Sequence, residues 1–233
     1  MKLRRFIARN RNLAQEQKLS NPVYLQVKHA IDSVTKYLTN LPQDKKLVIY
    51  DFGCGQKPYA VYVPQHKYIG IDIDLNNDQA DVYCDVTDVN LESNTADIAL
   101  SFYVIEHVDS PQKMLNEKYR TLKAGGELYM LSPLYWPEHE APYDYWRFTK
   151  FGLTKLLENS GFSNIEFEVV NSTPAIIGIN INSLLNRRFL RLLIPIVNFI
   201  FDQLQIRENQ KHLANGTSSN NAMTYAIKAT KSN

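Results

Sequence analysis

The sequence predicts a single α/β domain built on a mostly parallel sheet with helices on both faces. Several short runs are apolar throughout, which is typical of parallel strands that are covered on both sides. Amphipathic helical segments alternate with these runs, which favours a doubly wound sheet with right-handed crossovers. A chain of 233 residues suits one core, because a second core would leave little sequence for each half. The predicted strands are 47–51, 68–73, 80–84, 97–102, 126–132, 164–170 and 222–229.

Composition narrows the function classes. Hydrophobic residues make up 44% and charged residues 21% of the chain, which is ordinary globular usage and excludes wholesale disorder. The net charge of +2 is too small to indicate a nucleic-acid partner. The basic residues of the N-terminal extension, 1–20, either form a solvated terminus or contact phosphates on a substrate or a membrane surface. They are Lys2, Arg4, Arg5, Arg9 and Arg11.

The two cysteines, Cys54 and Cys84, lie beside predicted strands and lack the spacing of metal ligands. We therefore expect neither a disulfide framework nor a zinc site, and we expect a reducing compartment. The basic N-terminus is not followed by a continuous apolar stretch, so it resembles neither a secretory signal nor a membrane anchor. These features predict a cytoplasmic protein.

Residues 21–40 are predicted to form an amphipathic leading helix. Asn21 is the expected N-cap, and Pro22 suits the first helical position because its fixed φ is already helical. The apolar positions fall near helical spacing. They are Val23, Val27, Ala30, Ile31, Val34 and Leu38.

Two further helices can be placed from their end signals. The first begins at residues 110–111, where a serine precedes a proline, and should end at the glycine pair 125–126. The second covers 149–160, with Thr149 as N-cap and a glycine directly after its last residue.

Residues 172–220 are an insertion that a minimal domain of this kind would lack. They contain an apolar segment, 184–206, whose core at 189–201 has only about two-thirds of the length that crosses a bilayer. An arginine, a proline and an asparagine interrupt that core, so a transmembrane helix is not expected. Several interpretations are open. The segment packs on the core or on a second copy of the chain, or it covers a binding pocket as a lid, or it lies at a membrane interface.

The most informative segment runs from Val48 to Gly55, where a buried strand enters a loop with glycines at 53 and 55. Glycines there let the backbone approach a ligand closely. Pro58 stands where a dinucleotide fingerprint needs its third glycine. Asp51 would repel a pyrophosphate, but it can pair with the ammonium of a ligand that carries an amino-acid moiety. Charge therefore favours S-adenosylmethionine over a dinucleotide.

Carboxylates also lie at the ends of the second and third predicted strands. Asp72, nineteen residues beyond Gly53, can accept hydrogen bonds from both hydroxyls of a ribose. Asp74 is the alternative, because a register error of two residues keeps the same face. Asp85 and Val86 offer a carboxylate and a backbone amide to an adenine. Acids at successive strand ends converge on one crevice at the edge of the sheet.

An ordered series of segments carries a family resemblance. The series VIYDFGCG, YIGIDID, CDVTDVN, ADIALSFYVIEHV, MLNEKYRTLKAGGELYMLSP and LLENSGF resembles the class I S-adenosylmethionine-dependent methyltransferases of the type 11 domain family, from about residue 47 to 170. The resemblance implies a Rossmann-like fold with strand order 3-2-1-4-5-7-6, strand 7 being antiparallel, and S-adenosylmethionine as cofactor. It implies that Asp51, Gly53 and Gly55 hold the methionine part, Asp72 the ribose, and Asp85 and Val86 the adenine, while Ser101 and Phe102 line the floor.

Methyl transfer from an activated sulfonium needs alignment above all, which supplies on the order of 7 kcal/mol. An acceptor that starts out protonated also needs a base. His107, just past the fourth strand, is the candidate base; the alternative is that it orders its loop through hydrogen bonds. In quinone-pathway O-methyltransferases a similar segment reads Glu-x-x-Glu-His and binds a divalent metal. Tyr103 stands at the first of those positions here, so we expect no metal.

The loop 135–149 is too aromatic for an ordinary solvated loop, and we interpret it as a wall of the acceptor site. Its rings can stack on a sugar or another planar group, its acid and histidine can exchange protons, and its arginine can bind an anion. The alternative is a packed loop held by an Arg147–Asp144 pair. The order WPEHxxPxDYWRFT resembles bacterial enzymes encoded among polysaccharide and secondary-metabolite genes. The candidate residues are Trp136, His139, Tyr143, Asp144, Tyr145, Trp146 and Arg147.

These features predict methyl transfer to an oxygen or nitrogen of a small-molecule or lipid-linked acceptor, with a saccharide or glycan precursor as first candidate. An NAD-dependent oxidoreductase is a weaker alternative, because Pro58 and Asp51 disfavour a dinucleotide. An accessory subunit that binds the cofactor without turnover is the non-enzyme alternative. Segment 184–206 is the expected site of peripheral membrane contact or homodimer formation.

Overall fold

Seven strands form one sheet in the order β3-β2-β1-β4-β5-β7-β6. The computed structural model describes residues 17–187, 189–216 and 221–232. Strands β1 to β5 pair in parallel, whereas β7 is antiparallel to both β5 and β6. The predicted order and the antiparallel seventh strand are confirmed. The strands are β1 Val48–Phe52, β2 Lys67–Asp72, β3 Val82–Tyr83, β4 Ala96–Phe102, β5 Leu122–Pro133, β6 Phe162–Asn171 and β7 Thr224–Lys231.

Helices cover both faces of this sheet, as expected. Helix α1 packs on one face, where its Ile31 and Val34 join a core with Ile49 of β1. Helices α2 and α3 pack on the other face, against the next strand residue, Tyr50. Neighbouring strand residues alternate between the two cores because side chains alternate across a strand. The helices are α1 Tyr24–Thr39, α2 Pro111–Thr121, α3 Lys150–Asn159, α4 Thr173–Leu185 and α5 Ile194–Asn215.

The insertion between β6 and β7 adds a further helical layer. Helices α4 and α5 pack on each other and on the start of α1. Ala175 and Ile179 of α4 share a small core with Leu25 and Met223. No helix in the described parts of the chain is long and apolar enough to cross a bilayer. The basic residues at 2–11 lie outside the described residues.

Some predicted element ends are wrong. Helix α1 begins at Tyr24 with Val23 at the N-cap, and Asn21 instead accepts the N–H of Val23 through Oδ1 at 3.1 Å. The cap residue therefore closes a turn before the helix rather than capping it. Strand β3 has only two residues, shorter than the predicted run at 80–84. The N-cap of α3 is confirmed, because Thr149 Oγ1 accepts the N–H of Gly152.

The end of α2 is also corrected. The helix stops at Thr121 and β5 starts at Leu122, so the glycines expected to end the helix lie inside the strand. The register between β4 and β5 shifts at this point. A Cβ on Gly126 would lie 2.9 Å from the carbonyl oxygen of Lys123, so the glycine serves a close backbone approach at the bulge.

Candidate functional site

The loop after β1 lies across the carboxyl ends of β2 and β4. The N–H groups of Gly53 and Cys54 both donate to the carbonyl of Ile71, at 2.8 and 3.1 Å. Gly53 has a φ of +77°, and a Cβ there would lie 2.5 Å from a methyl of Val104. Only glycine satisfies both conditions. The loop is therefore held tightly at the edge where parallel α/β sheets bind ligands.

Asp51 is buried at the end of β1, with 2% of its surface exposed. Its Oδ2 accepts the hydroxyl of Tyr68 at 2.6 Å. Its Oδ1 is buried and has no hydrogen-bond partner among the described residues. Burial raises the pKa of Asp51 to about 6, against the opposing effect of the Tyr68 hydrogen bond. A buried carboxylate oxygen without a donor fits a ligand ammonium, as the sequence predicts.

Lys118 of α2 lies near this carboxylate and was not predicted. The residue is fully buried, its Nζ has no hydrogen-bond partner in the described part of the chain, and it sits 4.3 Å from the ring centroid of Phe52. Burial lowers its pKa well below the usual range, against the charge of Asp51. A sequence signal existed, because Lys118 follows the buried Met114 and Leu115 at helical spacings of four and three.

Asp72 lies at the glycine loop, where the sequence expects the ribose ligand. Its Oδ2 accepts the N–H of Gly55 at 2.9 Å, and its Oδ1 accepts the N–H of Asp74 at 3.0 Å. Asp74 turns away and accepts the backbone and side-chain N–H groups of Asn76. This arrangement favours Asp72 over Asp74 as the acid beside the loop.

Asn77 is a second residue that the sequence reasoning missed. It is 1% exposed, its Nδ2 donates to the carbonyl of Gly55 at 2.6 Å, and its Oδ1 accepts from Gln56 at 3.0 Å. The loop after β2 therefore holds the loop after β1 in place through the hydrogen bonds of Asn77. A lone asparagine in a polar turn carries no signal for such a contact.

The predicted adenine and floor residues lie at neighbouring strand ends. Asp85 Oδ1 accepts the N–H and the hydroxyl of Thr87, and Val86 is buried in the core. Ser101 donates its hydroxyl to the carbonyl of Phe52 at 3.2 Å. Phe102 packs in the core on the α1 face, near Tyr59 and Tyr129. Their ligand contacts stay predictions.

His107 ends a short 3-10 helix, Ile105–His107, that follows β4. The residue is buried, and Nδ1 lies 2.9 Å from the carbonyl of Tyr143 in the aromatic loop. A carbonyl can only accept, so Nδ1 carries the proton and Nε2 is left as an acceptor. Burial lowers the pKa of His107, which keeps the ring neutral. A neutral ring with a basic Nε2 fits a general base.

Asp144 and Arg147 form a bidentate pair inside the aromatic loop. Nη1 and Nη2 of Arg147 each donate at 2.7 Å to one oxygen of Asp144, and the N–H of His139 donates to Oδ2 at 2.9 Å. Burial acts to raise the pKa of Asp144, but these hydrogen bonds outweigh it and lower the pKa to about 2. The geometry favours the structural pair over proton exchange by Asp144.

Three side chains are close enough to share a metal ion. Glu106, His107 and His139 each offer one ligand atom, and these atoms lie within 4.8 Å of one another. Imidazole and carboxylate ligands suit zinc and related divalent ions. In the quinone-pathway motif the third ligand is an acid at the position of Tyr103. Here His139 takes the place of that third ligand. Sequence spacing could not reveal this set, because His139 lies 32 residues beyond His107; the absence of a metal stays a prediction.

The aromatic residues of the loop divide into two groups. Tyr145 and Trp146 are each 41% exposed and are anchored through backbone N–H bonds to the carbonyl of Glu106. Tyr143 contacts His107 through its carbonyl. Trp136 instead packs beside the small core of the helical insertion. The structure therefore joins three of the four predicted aromatic residues to the Glu106–His107 segment through their backbone groups, whereas Trp136 packs elsewhere.

A separate cavity of about 490 Å³ lies between α1 and the sheet and is lined by Lys36, Glu127 and Lys228 among others. Glu127 pairs in register with Ile98, near the start of β4. Open α/β sheets bind ligands at the carboxyl ends of their strands, which is the opposite edge. Its charged groups also pair with each other, with Lys228 Nζ 2.9 Å from Glu127. We therefore do not take this cavity as the functional site.

Strand order 3-2-1-4-5-7-6 with an antiparallel seventh strand, and a glycine loop at the end of β1, define the class I methyltransferase fold. Residues 50–130 match the family model described as a methyltransferase domain. No curated protein matches the chain by sequence.

Solved structures of the same fold have low sequence identity to the chain. A S-adenosylmethionine-dependent methyltransferase from Archaeoglobus fulgidus has a TM-score of 0.57 at 17% identity, over 94% of this chain and 98% of that one. Phosphoethanolamine N-methyltransferase 2 from Haemonchus contortus, in complex with S-adenosyl-L-methionine, has a TM-score of 0.56 at 16% identity over 88% of this chain. The chain spans 53% of that protein. The [4+2]-cyclase SpnF has a TM-score of 0.56 at 18% identity, over 86% of this chain and 80% of that one.

Proposed function

We propose that the protein transfers a methyl group from S-adenosylmethionine to an oxygen or nitrogen of a small-molecule or lipid-linked acceptor. The methyltransferase domain at residues 50–130 supports the reaction class. The observation that carries the cofactor assignment is Oδ1 of Asp51, buried without a partner among the described residues at the carboxyl end of β1. An α-ammonium group supplies the donor that this oxygen lacks.

The rest of the cofactor site follows the strand ends. Gly53 and Gly55 allow close approach of the backbone, and Asp72 can use its remaining lone pairs for the ribose hydroxyls. Pro58 and the charge of Asp51 disfavour a pyrophosphate. We assign the methionine part to Asp51, Gly53 and Gly55, the ribose to Asp72, the adenine to Asp85 and Val86, and the floor to Ser101 and Phe102.

The cofactor supplies a methyl group already activated as a sulfonium, so the protein has to align the acceptor and remove its proton. His107 can accept that proton at Nε2, since Nδ1 is held by the carbonyl of Tyr143. Glu106 and Glu140 each have a carboxylate oxygen 4.0 Å from Nε2. These two charges stabilise the imidazolium that forms.

The aromatic loop supports a saccharide or glycan precursor as first candidate for the acceptor. Tyr145 and Trp146 are each 41% exposed and are bonded through their backbone N–H groups to Glu106, next to His107. Aromatic rings of this kind stack on the apolar faces of sugars and other planar groups. The sequence order of this loop resembles enzymes of polysaccharide and secondary-metabolite gene groups, which agrees with that choice.

Calorimetric titration of the full chain with S-adenosylmethionine, S-adenosylhomocysteine and NAD tests the cofactor. We expect saturable binding of both adenosyl ligands and none of NAD. Asp51→Asn should weaken S-adenosylmethionine by about 10- to 100-fold, the range of a hydrogen bond between charged groups. Asp78→Asn, an exposed acid in the turn after β2, is the matched control. Folded protein that binds NAD but neither adenosyl ligand would contradict the assignment.

Turnover separates the enzyme from the accessory subunit. A screen of nucleotide sugars and lipid-linked glycans with S-adenosylmethionine carrying a deuterated methyl group should yield one labelled product and S-adenosylhomocysteine. Cofactor binding without product from any acceptor class would favour the accessory subunit instead.

A further inference from the structure

Helix α5 buries several polar residues and exposes several apolar ones. Asn198, Asp202 and Gln205 are buried against the protein. Phe199 and Ile200, beside them in sequence, are 56% and 49% exposed. A surface helix of a globular protein normally shows the reverse pattern. The outward face of α5 is therefore suited to an apolar environment.

Hydrogen bonds of Asn198 and an ion-pair contact of Asp202 fix the helix in this orientation. Asn198 Nδ2 donates to the carbonyls of Leu19 and Asn21 at 2.7 and 2.8 Å, and its Oδ1 accepts from Asn182 at 2.7 Å. One turn later, Asp202 lies 3.0 Å from Nε2 of His29. Turning the apolar side inward would strand these buried polar groups, at a free-energy cost for each.

The exposed apolar surface continues from α5 through the 3-10 helix Leu190–Leu193 to the end of α4. Phe189 and Leu192 are the most exposed members, at 83% and 82%. Contiguous apolar surface of this kind marks an interaction site. We call it the apolar face; it consists of Leu184, Phe189, Leu190, Leu192, Leu193, Ile196, Phe199, Ile200 and Leu204.

Charge around the apolar face identifies what covers it. In the described residues between 184 and 208, the basic side chains Arg187, Arg191 and Arg207 are exposed. Of the two acids, Asp202 is buried, and Glu208 is partly buried with Oε1 3.7 Å from Nε2 of His212. A positive rim around an apolar centre complements anionic lipid headgroups over acyl chains. An isologous contact between two copies would instead bring together three exposed arginines from each, with no exposed acid from the same face.

We propose that the apolar face docks on the surface of a membrane that contains anionic lipids. The apolar side chains enter the boundary between headgroups and acyl chains, and the arginines contact phosphates. The aromatic loop lies beside this layer, since Asn180 Nδ2 of α4 donates to the hydroxyl of Tyr135 at 2.9 Å. A lipid-linked acceptor would therefore reach the loop from the bilayer. That last step rests on the proposed function, whereas membrane docking does not.

Co-sedimentation of the full chain with vesicles tests the docking. Vesicles of phosphatidylcholine with about a quarter phosphatidylglycerol should sediment the protein. Vesicles of pure phosphatidylcholine should sediment at least tenfold less protein, since arginines near anionic lipid contribute strongly to binding. The double variant Leu192→Glu/Phe199→Glu should lose at least tenfold of the binding. Phe151→Glu is the matched control, because Phe151 is 75% exposed on α3 and lies outside the apolar face.

Two further readouts keep the outcome clear. Circular dichroism shows whether the double variant still folds, and calorimetry with S-adenosylmethionine reports the proposed function separately from membrane docking. Light scattering should find the protein monomeric. Unchanged vesicle binding by the folded double variant would overturn the proposal and assign the binding to another segment. A dimer that the double variant dissociates would overturn it in favour of a second copy of the chain.

Discussion

The hydroxyl of Tyr68 lies 2.6 Å from Oδ2 of Asp51, and the other oxygen of that carboxylate is buried without a partner among the described residues. Burial raises the pKa of Asp51 to about 6, above the ordinary value of 3.8. The carboxylate is therefore charged at neutral pH and becomes neutral as the pH falls through about 6. The environment that receives an ammonium thus also makes ammonium binding depend on pH.

The first prediction is that affinity for S-adenosylmethionine falls below about pH 6. The dissociation constant should rise roughly tenfold for each further unit, because one proton competes with one ammonium. Calorimetric titrations from about pH 5 to about pH 8 measure this slope. Asp51→Asn should bind weakly with no such slope. A wild-type affinity that is flat across this range would contradict the assigned role of Asp51.

The second prediction concerns Tyr68. Its hydrogen bond opposes the effect of burial on Asp51, so Tyr68→Phe should raise the pKa of the carboxyl further. The midpoint of the pH dependence of cofactor affinity should then move to higher pH, with weaker binding at pH 7. Tyr225→Phe, a buried tyrosine of β7, is the control and should leave the midpoint in place. The same midpoint in Tyr68→Phe and wild type would show that the hydroxyl does not tune Asp51.

The third prediction separates charge from packing at Lys118. Lys118→Met keeps a long side chain over Phe52 but removes the charge that lowers the pKa of Asp51. The midpoint of the pH dependence of cofactor affinity should again move to higher pH. Unlike Tyr68→Phe, this variant should hold or raise the free energy of unfolding, by about 1 kcal/mol, because a buried ammonium without hydrogen bonds is unfavourable. Urea denaturation measures the second effect, with the exposed Lys113→Met as control. A loss of stability would mean that the ammonium has a stabilising partner.

The fold could be predicted because parallel strands and capped helices leave local signals. The glycine loop and the acids at the strand ends were placed for the same reason, since topology brings strand ends to one edge. The electrostatic influence of Lys118 on Asp51 was not predicted, because it acts between a strand and a helix 67 residues apart in the chain. The ends of β3 and β5 were misplaced where a short edge strand and a bulge override local patterns.

The apolar insertion shows a different limit. Its sequence excluded a transmembrane helix and left a packed helix, a lid and an interfacial helix open. Apolar spacing alone would have placed the apolar side of α5 inward. The actual rotation depends on long-range bonds such as Asn198 to Leu19, between residues 179 positions apart. A polar residue that is buried by distant partners cannot be told from an exposed one by its neighbours in sequence.

The fourth prediction uses the Arg147–Asp144 pair. The pKa of Asp144 is about 2 in the folded protein, below the ordinary 3.8, so the pair contributes stability in full above about pH 4 and loses it as the pH falls towards 2. Arg147→Lys breaks the bidentate geometry and should cost about 1 to 3 kcal/mol at pH 7. The difference in Tm between variant and wild type should shrink below about pH 4. Arg207→Lys is the control at an exposed arginine. Equal losses of stability in the two variants would show that the Arg147–Asp144 pair contributes no more than an exposed arginine does.

The fifth prediction decides between the roles of His107. With the acceptor found in the screen, His107→Gln should lower turnover by about 100-fold or more if Nε2 takes the proton. The affinity for S-adenosylmethionine should stay within about twofold of wild type, a difference near 0.4 kcal/mol. His66→Gln is the control, because His66 is also buried but accepts the backbone N–H of Leu47. Retained turnover in His107→Gln would assign the residue to ordering the loop through Tyr143.

A chelator distinguishes the base from a metal ligand. His107 and His139 stand with Glu106 in an arrangement that suits a divalent ion, and His139→Gln should leave turnover within about fivefold if His107 acts by itself as a base. The burial that lowers the pKa of His107 also predicts that turnover persists below pH 6.5, falling only where the imidazole protonates. The contrary result has two parts: EDTA abolishes turnover and zinc restores it, and the His107 and His139 variants lose turnover equally. That result would mean that the two histidines are metal ligands, and that an acceptor bound to the metal would lose its proton.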